Sequence, residues 1–138
     1  MDVTYRQKVQ RAGKLILKIL GLAIFLLPMG GVLSATAGKA DILAVEVTKS
    51  GGGTYTFVVT VQHKDTGWDH YADRWEILSL DGTMLAKRVL LHPHVDEQPF
   101  TRSLRGVTIP KGIRQVRIRA HDNVHGFGGL EKEVMVPD

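Results

Sequence analysis

The chain contains no cysteine. That absence removes a disulfide scaffold, a CxxC redox centre, a thiol nucleophile, a lipid-modified N-terminal cysteine and every thiolate metal site, so any site chemistry rests on oxygen and imidazole. The sequence also has no GxSxG, no P-loop, no GxGxxG after a strand and no HExxH, which sets aside the common hydrolase, nucleotide and zinc-protease signatures. A glycosidase pair would have to come from Asp96 and Glu97, neighbours that alternate faces of an extended chain. Aromatic residues make up only 7% of the chain.

What is present fits one small domain: 138 residues, 43% hydrophobic. The net charge of +4 is unevenly spread. Residues 1–37 hold Arg6, Lys8, Arg11, Lys14 and Lys18 against Asp2 alone, and the remaining residues carry 13 basic and 13 acidic groups. Nucleic-acid binding needs clustered Lys and Arg on the folded domain, so the basic excess in the leader argues against a nucleic-acid partner.

That leader has the three parts of a secretory signal peptide. Its charges lie within residues 1–18, Ile19 to Leu27 is an uncharged apolar run, Pro28, Gly30 and Gly31 end the run, and Ala35-Thr36-Ala37 presents small residues at both cleavage-determining positions. Cleavage is expected after Ala37, leaving 38–138 as the mature domain. The competing reading is an uncleaved anchor, because Ile19 to Ala37 is 19 residues without a charge and a span needs about 20. Either way the domain is exported, periplasmic or secreted, with a membrane contact only if the leader is retained.

Past the leader, period-two alternation recurs between turn signals and no sustained helical period appears. The expected strands are Ile42–Thr48 with Leu43, Val45 and Val47 inward; Thr54–Gln62 with Tyr55, Phe57, Val59 and Val61 on one face; Arg74–Leu80; Met84–Leu91 after the Asp81-Gly82 hairpin signal; Phe100–Val107; Ile113–Ala120 with Val116, Ile118 and Ala120 on one face; and Leu130–Val136. Seven short strands with Trp75 early in the third predict an all-β fold, an immunoglobulin-like or fibronectin-like seven-stranded sandwich. Trp75, in phase with Ile77, reads as core, whereas Trp68 falls in a loop.

In such a fold the loops alternate between two ends. The loops 63–72, 92–99 and 121–129 share one end, and all six histidines lie in or beside them, with Asp65, Asp69, Asp73, Asp96, Glu97 and Asp122. Imidazole and carboxylate are donors for divalent transition metals. His92-Pro93-His94 places two rings on one side of an extended chain about 7 Å apart, and His121 approaches from strand six. The expected ligands are therefore His92, His94 and His121, with His70, His125 and Asp122 as helpers and His63 outside the set. The same residues also suit a metal-free lattice of hydrogen bonds organising the loops, with Arg74, Arg102 and Arg119 pairing Asp73, Asp96 and Glu97.

Several stretches carry a resemblance: Asp65-Thr66-Gly67, Tyr71-Ala72-Asp73 with Trp75-Glu76, the run from His92 through Ser103, and Arg119-Ala120-His121 with Gly126-Phe127-Gly128-Gly129. They resemble a family of small exported bacterial proteins of unassigned function, which implies export and a sandwich. More loosely, His70-Tyr71 followed by Trp75, and Asn123-Val124-His125-Gly126, resemble segments of the superoxide reductase iron domain, an immunoglobulin-like sandwich with a mononuclear histidine-rich site. Asp122 stands where that family has a cysteine ligand, and His63 to His70 departs from its ligand spacing.

The sequence therefore predicts an exported sandwich binding a divalent transition metal, Cu or Zn ahead of Fe. The rival is a metal-free module gripping a periplasmic protein, peptide or glycan through Trp68, Tyr71 and Phe127. A third reading is a mononuclear redox or hydrolytic centre.

Overall fold

The structure, a computed structural model, describes residues 38–138; the signal-peptide and anchor readings fall on 1–37, outside the described residues. Seven strands form: β1 (Asp41–Lys49), β2 (Thr54–Gln62), β3 (Ala72–Ser79), β4 (Met84–Val89), β5 (Phe100–Thr108), β6 (Gln115–Asp122) and β7 (Lys132–Met135). All pairings are antiparallel. The order β1-β2-β5 makes one sheet and β4-β3-β6-β7 the other. Among the described residues the only helical turn is a 3-10 turn at Gly51–Gly53, and no helix is long and apolar enough to cross a membrane.

The alternating apolar positions close against each other as the inward faces of the two sheets. Phe57, Val59 and Val61 of β2, Trp75 and Ile77 of β3, and Val116 and Ile118 of β6 are fully buried in one core cluster with Ile42 and Phe100. Trp75 is thus packing. The first strand departs from simple alternation: the register shifts between Ile42 and Ala44, so Ile42 joins Val45 and Val47 on the core side and Leu43 falls out of phase. The sixth strand runs two residues further than its pattern predicts, to Asp122. Ile113 lies instead in the turn before it, where its backbone N–H donates to the Pro110 carbonyl at 3.2 Å.

Candidate metal centre

The centre forms where one strand of each sheet extends its inward face past the apolar core. On β2 the positions Phe57, Val59 and Val61 are followed in phase by His63, and on β6 Val116, Ile118 and Ala120 are followed by Asp122; both polar residues are buried. Period-two geometry therefore aims a ring and a carboxylate at each other across the end of the sandwich.

His70 reaches them from a tight turn. Thr66 N–H donates to the His70 carbonyl at 2.9 Å, and His70 N–H donates to Gly67 at 3.2 Å. Asn123 fastens this turn to the end of β6: its Oδ1 accepts from Tyr71 N–H at 2.9 Å and its side-chain amide donates to the Trp68 carbonyl at 3.1 Å. Beyond Asp122 the chain doubles back, with reciprocal backbone bonds between Asp122 and Gly126. Gly126 takes φ +73°, which favours glycine. The reversal brings His125 over Asp122.

One ligand atom from each of His63, His70 and Asp122 lies within 4.8 Å of the others. The His70 ring sits edge-on between those of His63 and His125, with centroids 4.7 and 4.8 Å away. Asp122 Oδ1 accepts from the backbone N–H of Val124 at 3.0 Å and of His125 at 2.7 Å, and from His125 Nδ1 at 3.1 Å. Burial pushes the Asp122 carboxyl up, but those backbone donors and the nearby His63 and His125 outweigh it and hold it below its ordinary value of 3.8. The site therefore keeps a carboxylate in a dry setting.

Within this group two buried atoms have no hydrogen-bond partner among the described residues, His70 Nε2 and Asp122 Oδ2; outside it the same holds for five others, both ring nitrogens of His94 among them. His70 Nε2 is 3.3 Å from Asp122 Oδ1, outside hydrogen-bond geometry. Buried orphans of this kind require a reason, and a cation accepting both lone pairs supplies one. His63 fits the same arrangement. Its Nδ1 donates to Asp65 Oδ1 at 2.6 Å, while Nε2 faces the Gly38 carbonyl oxygen at 3.2 Å. With Nδ1–H on Asp65, a doubly protonated ring donates Nε2–H to that carbonyl, whereas a neutral ring turns an Nε2 lone pair there that a cation can accept. Asp65 then orients the ligand, as carboxylates behind metal-bound histidines do.

Asp65 is the hub of this end. Besides His63, its Oδ1 accepts from Ala72 N–H at 3.0 Å, and its Oδ2 accepts from His94 N–H at 2.6 Å. It thereby ties the β2 exit, the start of β3 and the 92–99 loop together.

The expected trio is placed differently. The His94 ring is buried and stacks on Phe100 at 3.9 Å and 9°, and the His92 ring lies 4.6 Å from it. The two rings do come to the same side, tilted to each other by 36°. His92 Nδ1 lies 3.0 Å from the Pro93 carbonyl oxygen, and both His94 ring nitrogens are buried without a hydrogen-bond partner among the described residues. Burial first, then the charges of Arg102 and His92, hold the His94 ring below the ordinary 6.5, against the opposing pull of Asp65 and Glu97.

His121 alternates with Asp122 and so points out of the four-stranded sheet, away from the core end. Its Nδ1 lies 2.7 Å from Asp73 Oδ1 and 3.0 Å from Arg74 Nη1, and its ring packs edge-on against Phe127. On that outer face Glu76 receives Arg74 Nε at 3.0 Å and Arg119 Nη2 at 2.9 Å, and Arg119 lies 3.8 Å over the Phe127 ring. Burial raises the Glu76 carboxyl, yet its bonds and charge attraction to Arg74 and Arg119 win and hold it below 4.5. The structure thus gathers His70, His125 and Asp122 with His63, and separates them from the His92–His94 pair and from His121. Of these, sequence reasoning left out His63 and Asp65, although the β2 alternation carried one step further marks His63 as inward.

No known family model matches the chain. A protein of Halomicrobium mukohataei named as a lipoprotein is 41% identical over 100 residues, covering 72% of this chain and 47% of the relative; the chain thus spans about half the length of the curated relative it matches. Among solved structures, a hypothetical protein of Pyrococcus horikoshii aligns at 19% identity with a TM-score of 0.48, covering 72% of this chain and 90% of that one. The superoxide reductase (neelaredoxin) of Archaeoglobus fulgidus in its reduced form aligns at 12% identity, TM-score 0.46, covering 73% and 90%. A superoxide reductase in the oxidised state aligns at 16% identity, TM-score 0.41, covering 74% and 91%.

Proposed function

We propose that this chain is an exported β-sandwich protein that binds a divalent transition metal at its loop end through His63, His70 and Asp122, with His125 at the solvent side. The observation that carries the reading is the pair of buried, unpartnered atoms, His70 Nε2 and Asp122 Oδ2, inside a group whose ligand atoms lie within 4.8 Å. Two imidazoles and a carboxylate form a borderline donor set that suits Cu(II), Zn(II) and Fe(II), with Cu(II) bound more tightly than Zn(II) at such a site. Asp122 supplies the negative charge, Asp65 fixes the His63 ring through Nδ1, and His125, whose side chain is 39% exposed, lines the route from solvent. Export is supported by the leader pattern of residues 1–37 and by the lipoprotein name of the Halomicrobium relative. The order β1-β2-β5 against β4-β3-β6-β7 supports the fibronectin-like form of the sandwich, the fourth strand lying beside the third.

The test is metal analysis of the protein recovered after export, then titration of Cu(II) and Zn(II) into the chelator-treated form. The expected result is one ion per chain bound far more tightly than millimolar. Binding no better than millimolar for either ion contradicts the reading.

A second reading has its own observation. Trp68 is 65% exposed and borders a groove of about 540 Å³ floored by the segment from His92 to Glu97. An exposed indole beside an open groove suits a peptide or glycan surface. A panel of soluble glycans and peptides, read by quenching of Trp68 fluorescence against Trp68→Phe, tests it.

A further inference from the structure

The metal group contains one contact that its side chains do not explain. Gly38, the residue that follows the expected cleavage site, lies against it. Its carbonyl oxygen is 3.2 Å from His63 Nε2. A Cβ added at Gly38 would stand 2.7 Å from His125 Cε1 and 3.2 Å from both ring nitrogens. Gly38 also has φ +99°. Close approach and left-handed backbone together admit only glycine here.

The segment that follows is held in place rather than left as a frayed end. Ile42 N–H donates to the Leu130 carbonyl at 2.9 Å, and Leu130 N–H donates to Asp41 Oδ1 at 2.7 Å. Ala40 is buried, and the backbone at Gly129 passes so close that an added Cβ would sit 2.0 Å from the Ala40 oxygen. First residues of a domain are ordered only when tied down in this way.

We propose that export processing completes the metal centre: hydrolysis of the Ala37–Gly38 bond creates an α-amino nitrogen on Gly38 that joins His63, His70 and Asp122 as a ligand. This rests on the metal reading of the same site. In the hydrolysis, catalysed by the export signal peptidase, one water is consumed. Its oxygen ends in the Ala37 carboxylate, and Gly38 is released as an amine whose extra proton passes to solvent when the ion binds. Before cleavage, the Gly38 nitrogen belongs to a peptide bond and its electron pair is delocalised into the Ala37 carbonyl, so while it keeps its proton it is no ligand. After cleavage, the amine and the Gly38 carbonyl oxygen, which already lies 3.2 Å from His63 Nε2, can form the two ends of a five-membered chelate ring. The precursor then has a weak site and the processed protein a strong one, which restricts tight binding to the exported form.

The experiment uses the full chain expressed with its leader in a bacterial host. The processed form, its first residue established by mass, is compared with the uncleaved A37F form in detergent, each titrated with Cu(II) against a competing chelator. The processed form is also prepared with 15N-glycine, and its copper paramagnetic resonance spectrum is compared with that of unlabelled protein. The expected results are a first residue of Gly38, at least tenfold tighter binding by the processed form, and a nitrogen splitting pattern altered by the glycine label. Equal affinities, a spectrum indifferent to the label, or a different first residue overturns the proposal while leaving the side-chain site standing. Failure of both forms to bind Cu(II) overturns the metal reading itself.

Discussion

Asp122 and His121 are neighbours in β6, and they belong to two different kinds of polar cluster. On the inner side, Asp122 meets His63, His70 and His125 in a buried group where His70 Nε2 and Asp122 Oδ2 lack partners among the described residues. On the outer side, His121, Asp73, Arg74, Glu76 and Arg119 form a partly exposed network in which each carboxylate faces a cation or a ring N–H. Composition does not separate the clusters, since both combine histidine with acid. Satisfaction separates them: the outer group is closed within itself and braces the sheet, whereas the inner group has donors left over for an ion. Of the pairings expected for a hydrogen-bonded lattice, Arg74 meets Asp73 and Arg102 meets Glu97, while Arg119 pairs with Glu76 instead.

The largest expected effect breaks the inner group. Asp122→Ala removes the charge and leaves the N–H groups of Val124 and His125 and the His125 ring without their acceptor. It should abolish tight metal binding and cost roughly 3 kcal/mol of stability, read by metal titration and urea denaturation. The outer network should give the opposite pattern. Glu76→Gln weakens the bonds to Arg74 and Arg119 and lowers stability by about 1 to 2 kcal/mol, with metal affinity unchanged.

Acid should separate the two faces again. The folded His94 ring is held below its ordinary 6.5. Between the two values the unfolded chain binds the extra proton, so this contribution is full above pH 6.5 and is lost as pH falls toward the folded value. Glu76, held below 4.5, contributes fully above 4.5 and loses its share only as pH falls further. Urea midpoints measured from pH 7.5 downward should therefore begin to drop near pH 6.5, and His94→Phe, which keeps a ring on Phe100, should remove that first drop. The smallest effect is expected from His92→Ala: this exposed ring lies on the His94 stack outside the metal group, and Cu(II) affinity should change less than twofold.

The strands were legible because both inner faces alternate cleanly. Phe57, Val59 and Val61, and Val116, Ile118 and Ala120, appear as buried stripes in the sequence and in the structure. The same alternation carried one step beyond each stripe names His63 and Asp122 as inward and His121 as outward; treating the strand ends as loops hid that signal. Other features had no local signature. The bulge at Ile42 depends on pairing with β2. The stacking of His94 depends on Phe100 arriving from another strand, so an i, i+2 histidine pair reads equally as a chelate or as packing. Asp65 becomes a hub only when three separate segments converge on it.

The most direct measurement is Cu(II) and Zn(II) affinity of chelator-treated protein carrying His70→Ala or His121→Ala, one substitution on each face. His70→Ala should weaken binding by at least a hundredfold, and His121→Ala should leave it within twofold of the unsubstituted chain. Equal losses in the two variants, or full affinity without the His70 ring, would contradict a metal site on the inner side.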